Sequence, residues 1–404
     1  MLVNVNRLQA RMDEQGLDGI VATTLPNVHY FAGFWSLALS GFPYEGQCYA
    51  VISRDDPTQP IVVSSTVELD QVQDGIAAGF PIKGTINFGT FYREGPFDGV
   101  QLSEEEQFLK KISMDRDPLA GPLQGLVAAL RQMGLEGKKV GVDELGLRSD
   151  VSEGVQEKLP GTEFVKSSAL LRWVRKVKTP EEIRRLREVV KMTERAILAA
   201  TGIARRGVTE YEVAREFERS LVSQGGRPQF SLIRFGRNAV AGQREHSRTE
   251  LQEGDVIWFD TGAVYNGYWS DIARGFSLGA PGRRAHQIYQ AMVAGEESGI
   301  AQARVGMTGG ELFEITMEAT RAAGAPHYRR HHVGHGIGSE VYEAPLLAPG
   351  NTDLVEAGSV INIETPYYEF GLGGLHVEDP FVVREDGNHE LLTTLPRSLQ
   401  VLPV

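Results

Sequence analysis

Two hydrophobic periodicities alternate along roughly the first 165 residues of the chain. Helical spacing from Arg7 to Gly16 gives way at once to the apolar run Gly19-Ile20-Val21-Ala22, which reads as a strand. Tyr49-Ala50-Val51-Ile52 and Ile61-Val62-Val63 flank the turn formers Asp55-Asp56-Pro57. Farther on, Leu123 to Met133 predicts a helix, Lys139-Val140-Gly141-Val142 a strand and Asp150 to Leu159 a helix. This order predicts an α/β domain with a mixed sheet. The acidic triplet Glu104-Glu105-Glu106 reads as a solvated helix start.

The pattern then changes. Thr179-Pro180-Glu181-Glu182 is a capping box with proline in the first turn, so a long helix starts there, and Ile183, Leu186, Val189, Val190 and Ile197 form its buried stripe. The basic run Arg172-Trp173-Val174-Arg175-Lys176-Val177-Lys178 just before it reads as a solvated linker. The expected organisation is a first domain over 1–168, a linker over 169–179 and a second domain over 180–404. Within the second, Gly207-Val208-Thr209 and Gly306-Met307-Thr308 each open a helix that leads into β-structure. That echo points to two related half-domains.

Each half ends in a hairpin bearing carboxylates. Asp255 to Arg274 is an apolar strand reaching Asp260, an Asn266-Gly267 turn signal and a returning strand with Asp271. Antiparallel pairing puts the two aspartates on one face, opposite each other or one diagonal step apart. Val360-Ile361-Asn362-Ile363-Glu364 and Leu375-His376-Val377-Glu378-Asp379 repeat the design across a glycine-rich turn, Gly371 to Gly374. Between the hairpins, His335 stands between two glycines in Arg329-Arg330-His331-His332-Val333-Gly334-His335-Gly336-Ile337-Gly338. Like charges so close destabilise a sheet unless they splay into water or a cation joins them. Oxygen donors outnumbering nitrogen favour Mn²⁺ or a similar first-row ion, and shared carboxylates suit a pair of ions.

Composition narrows the setting. Hydrophobic residues make up 41% of the 404 positions, enough for a buried core of ordinary size. The formal net charge of -12 gives no footprint for nucleic acid or an anionic membrane. Cys48 stands alone, so no intrachain disulfide can form, which fits a cytoplasmic location. No secretion signal or membrane span is expected from the hydropathy pattern.

The ordered set of Asp260, Asp271, His335 within a G-H-G-I-G loop, Glu364 and a Glu378-Asp379 pair resembles the pita-bread metallopeptidase family, which includes prolidase, aminopeptidase P, methionine aminopeptidase and creatinase. The Leu17-Asp18-Gly19-Ile20-Val21 and Asn27 to Phe34 segments resemble the creatinase and prolidase N-terminal domain. The resemblance implies an α/β N-terminal domain followed by an α+β pita-bread catalytic domain with pseudo-twofold halves. It further implies two divalent metal ions per subunit, Mn²⁺ foremost with Co²⁺ or Zn²⁺ as alternatives. Asp271 and Glu378 would bridge them, Asp260 would bind one and His335 the other, and Glu364 would be both ligand and proton shuttle. The implied reaction is attack of a metal-bridging hydroxide on the Xaa-Pro bond of a small peptide, most closely a dipeptide, in a homodimeric enzyme.

Around these positions the sequence departs from the family pattern. His331 matches the histidine that contacts the scissile peptide, but Tyr342, Gln243 and His376 stand where the family has His, His and Arg. These four are candidate substrate-binding residues, and His331 is also a candidate catalytic one. His332 reads as a supporting or structural residue, and Arg234, Arg237, Arg244, Arg248, Arg329 and Arg330 read as mostly surface cations able to bind a carboxylate. Alternatives left open are an Xaa-Pro aminopeptidase acting on longer peptides, a hydrolase or lyase of a small non-peptide compound, and, more remotely, a non-catalytic binding module.

Overall fold

Short strands with apolar residues on both faces must be covered on both sides, and the N-terminal unit does this with helices packed on a six-stranded sheet. The structure, a computed structural model, describes residues 2–42, 44–95, 98–115 and 117–404, and divides into the units Met1–Arg175 and Lys176–Val404. In the first unit the strands run in the order Gly84–Phe88, Ile61–Ser65, Tyr49–Ser53, Gly19–Ala22, Lys139–Val142 and Glu163–Lys166. Gly19–Ala22 pairs antiparallel with Tyr49–Ser53 and parallel with Lys139–Val142, so the sheet is mixed as expected. Leu126 and Leu130 of helix Pro122–Gln132, with Val151 and Val155 of helix Ser149–Lys158, close its core over Val21, Val51, Val63 and Val140. Glu104–Ser113 begins with a capping box on Ser103, and its three acidic residues lie in water.

The second unit carries the internal echo into three dimensions. Helices Pro180–Thr201 and Glu210–Ser223 form one pair, Arg283–Gln302 and Gly309–Ala322 the other. Thr209 and Thr308 cap the second helix of each pair through capping boxes with Glu212 and Glu311. Gly207 and Gly306, both at positive φ, donate to the carbonyls of Leu251 and Val355, and those residues donate back to Val208 and Met307. The same turn is therefore built twice. The pairs flank one sheet whose main path is Glu343–Leu346, Gly334–Gly336, Val360–Glu364, Glu378–Val382, Tyr268–Leu278, Val256–Tyr265 and Arg227–Phe235.

The first hairpin takes one of its two expected forms, and the second differs in detail. Tyr265 pairs with Tyr268 across Asn266 and Gly267, both at positive φ, which is a two-residue turn matching the strand twist. Asp271 pairs with Gly262 and Asp260 with Ala273, so the aspartates take the diagonal relation. In the second hairpin the return strand starts at Glu378 and continues to Val382, while Tyr367–Glu369 and Gly373–Leu375 form a small sheet of their own. The longer loop gives His376 its place just ahead of the strand.

The expected solvated linker is a correction. Ser168–Lys176 is a helix, and Arg175, Lys176 and Lys178 are buried. Lys178 Nζ lies 2.7 Å from Glu343 Oε2, with both side chains almost wholly buried, and Lys176 Nζ lies 2.5 Å from Glu356 Oε1. A local charge run reads as solvated because its carboxylate partners are far ahead in the chain. Among the described residues no helix is long and apolar enough to cross a membrane. Removing one partner of a buried pair leaves an uncompensated charge. Lys178→Met is therefore expected to cost about 3–5 kcal/mol in urea unfolding, and adding Glu343→Gln should recover much of it. Equal stability of the single variant and the parent protein would contradict this account.

Candidate metal centre

Sheet register alone brings the carboxylates together. Glu364 pairs with Glu378, Glu378 with Ala273 and Ala273 with Asp260, so one row crosses four strands. Residues opposite each other point to the same face, as do residues two apart along a strand. Asp271, two before Ala273, joins the row, and Glu364, Glu378, Asp271 and Asp260 all project from one side. His335 pairs with Asn362, two residues before Glu364, and comes in from the next strand. The glycines beside it are needed for close packing: a Cβ on Gly334 would run into the carbonyl oxygen of Asn362, and one on Gly336 into that of Ala344.

Hydrogen bonds aim these groups. His335 Nδ1 donates to the Gly336 carbonyl at 3.0 Å, which leaves the lone pair on Nε2. That nitrogen is buried without a hydrogen bond, 3.6 Å from Asp271 Oδ2 and 3.8 Å from Glu378 Oε1. Asn362 Nδ2 donates to Glu378 Oε1 at 2.8 Å and to the Asp271 carbonyl at 3.1 Å. A second group forms beside the first: His376 Nδ1 is 3.7 Å from Asp260 Oδ2, and its Nε2 is 3.6 Å from Glu364 Oε2 and 3.7 Å from Glu378 Oε2. Asp271, His335 and Glu378 can hold one metal ion, and Asp260, His376 and Glu378 another.

The residues fit divalent ions on two counts. Two ligands about 2.1 Å from one ion lie roughly 3 to 4 Å apart, the spacing seen here and too long for hydrogen bonds. Asp271 Oδ1, His335 Nε2 and both nitrogens of His376 are also buried with no hydrogen-bond partner, which native interiors rarely leave uncompensated.

The charges respond to this crowding. Burial, then the neighbouring Asp271 and Glu364, push Asp260 well above the usual carboxylate range. Burial, then Asp271, Glu364 and Asp260, do the same to Glu378. Burial also raises Asp271, against the pull of His335. Glu364 goes the other way: burial is outweighed by His332 and His376, which hold it ionised. His332 Nε2 lies 2.6 Å from Glu364 Oε1 and 3.1 Å from the Tyr342 hydroxyl.

A cavity of about 500 Å³ opens onto this face, lined by Asp260, Glu364 and His376 and, nearer the mouth, by Gln243, His331 and Tyr342. All nine candidate site residues therefore lie in or beside one site. Their roles are uneven. His331 is exposed, stacked edge-on against His332 with ring centres 4.1 Å apart, and it is His332 that touches Glu364. Tyr342 lies flat against the His335 ring, 3.8 Å between centres, and His246 is spent on the Ser231 carbonyl. The arginines also divide. Arg234 is buried beside Glu210, whereas Arg244 and Arg330 line the cavity, and the Nε of Arg330 is buried with no hydrogen-bond partner. Asn362 and Arg330 are the residues the sequence reading undervalued, while His332 takes the supporting place expected of it. The signal for Asn362 was a polar residue inside an apolar strand, which must find a buried partner.

Comparison with known proteins agrees with this geometry. Residues 184–385 match the model of metallopeptidase family M24, and residues 4–84 and 93–177 match the creatinase/prolidase N-terminal domain. The chain is 31% identical over 396 residues to the Xaa-Pro dipeptidase of Pyrococcus furiosus, covering 98% of this chain and 99% of that one. It is 27% identical to the Xaa-Pro dipeptidase of Lactobacillus delbrueckii, with both chains fully covered. The solved X-Pro aminopeptidase from Thermotoga maritima shares the fold with a TM-score of 0.76, at 23% identity over 99% of each chain. The chain thus belongs to metallopeptidase family M24, with a creatinase/prolidase N-terminal domain ahead of a pita-bread catalytic domain.

Proposed function

We propose that this metallopeptidase hydrolyses the Xaa-Pro bond of dipeptides with two divalent ions, Mn²⁺ foremost. The carrying observation is the single row of Glu364, Glu378, Asp271 and Asp260 with His335 beside it, in which Asp271 Oδ1 and His335 Nε2 are buried without a hydrogen-bond partner and His335 Nε2 stands at ligand spacing, 3.6 Å, from Asp271 Oδ2. Asp271 and Glu378 would be shared, Asp260 and His335 would each hold one ion, and Glu364 would complete the set. When bound, such a pair would make water acidic enough to lose a proton near neutral pH, supplying a hydroxide nucleophile, and would polarise the scissile carbonyl.

The remaining work falls to the chain's own groups. Glu364, kept ionised chiefly by His332, takes the proton of the attacking water and returns it to the proline nitrogen. That return is required because the leaving group is the amine of a tertiary amide. His331 and Tyr342 at the mouth can donate to the carbonyl oxygen of the peptide, and Gln243 can donate or accept there. Arg330, whose side chain lines the cavity, suits a free C-terminal carboxylate. A free carboxylate on the residue that follows the scissile bond is what distinguishes a dipeptide from a longer substrate.

Chelated protein should show no hydrolysis, and Mn²⁺ should restore it on Xaa-Pro dipeptides but not on non-proline controls. Protein that holds two ions yet cleaves no peptide would redirect attention to small non-peptide amides. Arg330→Ala is expected to raise KM about 10- to 100-fold for dipeptides with a free carboxylate and to leave their C-terminal amides little changed, the loss of one charge-assisted contact. Equal effects on acid and amide would remove Arg330 from that role.

Asp260 and Glu378 are raised, so they keep protons at pH values where free carboxylates have lost them. A cation must displace those protons, and affinity therefore falls as pH falls towards the carboxylate range. Calorimetric titrations with Mn²⁺ in buffers of different ionisation enthalpy should show net proton release. Binding without proton exchange would contradict the raised state of these groups.

A further inference from the structure

His376 occupies a position where the family pattern has arginine, and it is buried among three carboxylates. The ring is about 1% exposed and stacks on Trp258, with 21° between planes, so its orientation is set by packing. Both nitrogens are buried without a hydrogen bond. Nδ1 faces Asp260 at 3.7 Å, and Nε2 faces Glu364 and Glu378 at 3.6 and 3.7 Å. These separations are too long for hydrogen bonds and match ligands around a shared ion. His335 shows the same arrangement on the other side of Glu378, with an unpartnered nitrogen 3.6 and 3.8 Å from two carboxylates.

We propose that His376 is a sixth protein ligand of the metal centre, binding the ion held by Asp260 through a ring nitrogen. The inference rests on the two-metal reading above and extends it. Imidazole offers a lone pair, which guanidinium lacks, and its neutral form brings no competing positive charge. With His376 included, each ion has one imidazole: His335 for one, His376 for the other, with Glu378 between them. Four carboxylates then balance two divalent cations without help from a neighbouring arginine.

Affinity alone does not separate a ligand from a residue that merely orients one, since losing either costs about 10- to 100-fold. The coordination shell does. X-ray absorption of the full-length protein loaded with two equivalents of Co²⁺ should show about one imidazole per cobalt, falling to about half in His376→Gln. In His335→Gln, imidazole scattering should persist, because His376 remains; this variant and the parent protein carry the test if His376→Gln fails to fold. About half an imidazole per cobalt in the parent protein, or none in His335→Gln, would overturn the proposal while leaving the two-metal reading intact. Failure of the parent protein to bind cobalt would overturn both.

Discussion

Four carboxylates on one face of one sheet are mutually repulsive, and the rest of the second unit is arranged to hold them there. Asp260 and Glu378 are pushed up by burial and by the neighbouring Asp271 and Glu364, a cost that only protons or cations relieve. The sheet keeps them together because their backbone positions are fixed by register: a slip of one residue would turn the whole row to the other face. The electrostatic strain and the hydrogen-bonded register thus oppose each other, and a bound ion relieves that strain.

Alternation along the strand carries the same logic to the far side. Glu378 points to the site, so its neighbour Asp379 points away, into a buried network with Arg274, Arg397 and Thr393. Arg274 also donates to the backbone carbonyl of Glu378 at 2.9 Å. Asp379 is held at about 2 against its burial, chiefly by Arg274, while the adjoining Glu296 is raised by burial and by Asp379. The acidic pair Glu378-Asp379 therefore does two different jobs. One carboxylate is left uncompensated for an ion, and the other is neutralised to anchor the strand.

A comparable anchor supports the loop after His335. Glu343 sits opposite Gly336 in the sheet and receives Lys178 from just ahead of the long helix. Its carboxylate lies so close to Gly338 that a Cβ there would meet it at 2.8 Å. The G-H-G-I-G run is shaped by this packing as well as by the site: Gly334 and Gly336 admit neighbouring backbone, and Gly338 admits a buried ion pair.

Much of this was legible in the residues themselves. Helix starts at Thr179, Thr209 and Thr308 were visible because capping is local, and the aspartate hairpin was visible because an Asn-Gly turn and alternation set register over a few residues. The five carboxylate and imidazole positions could be listed for the same reason: each lies in a strand marked by its own pattern. What required the fold was every relation between distant segments. The basic run before Thr179 looked solvated because Glu343 and Glu356 lie far along the chain. His332, rather than His331, faces Glu364 because the exit of the chain into strand Gly334–Gly336 decides which of two adjacent rings turns inward. His376 could be read only as a missing arginine until the sheet placed its two unpartnered nitrogens among Asp260, Glu364 and Glu378. Sequence determines which groups are available and what local geometry they take. Tertiary structure decides which of them lose water together, and that shared desolvation turns scattered carboxylates into a site.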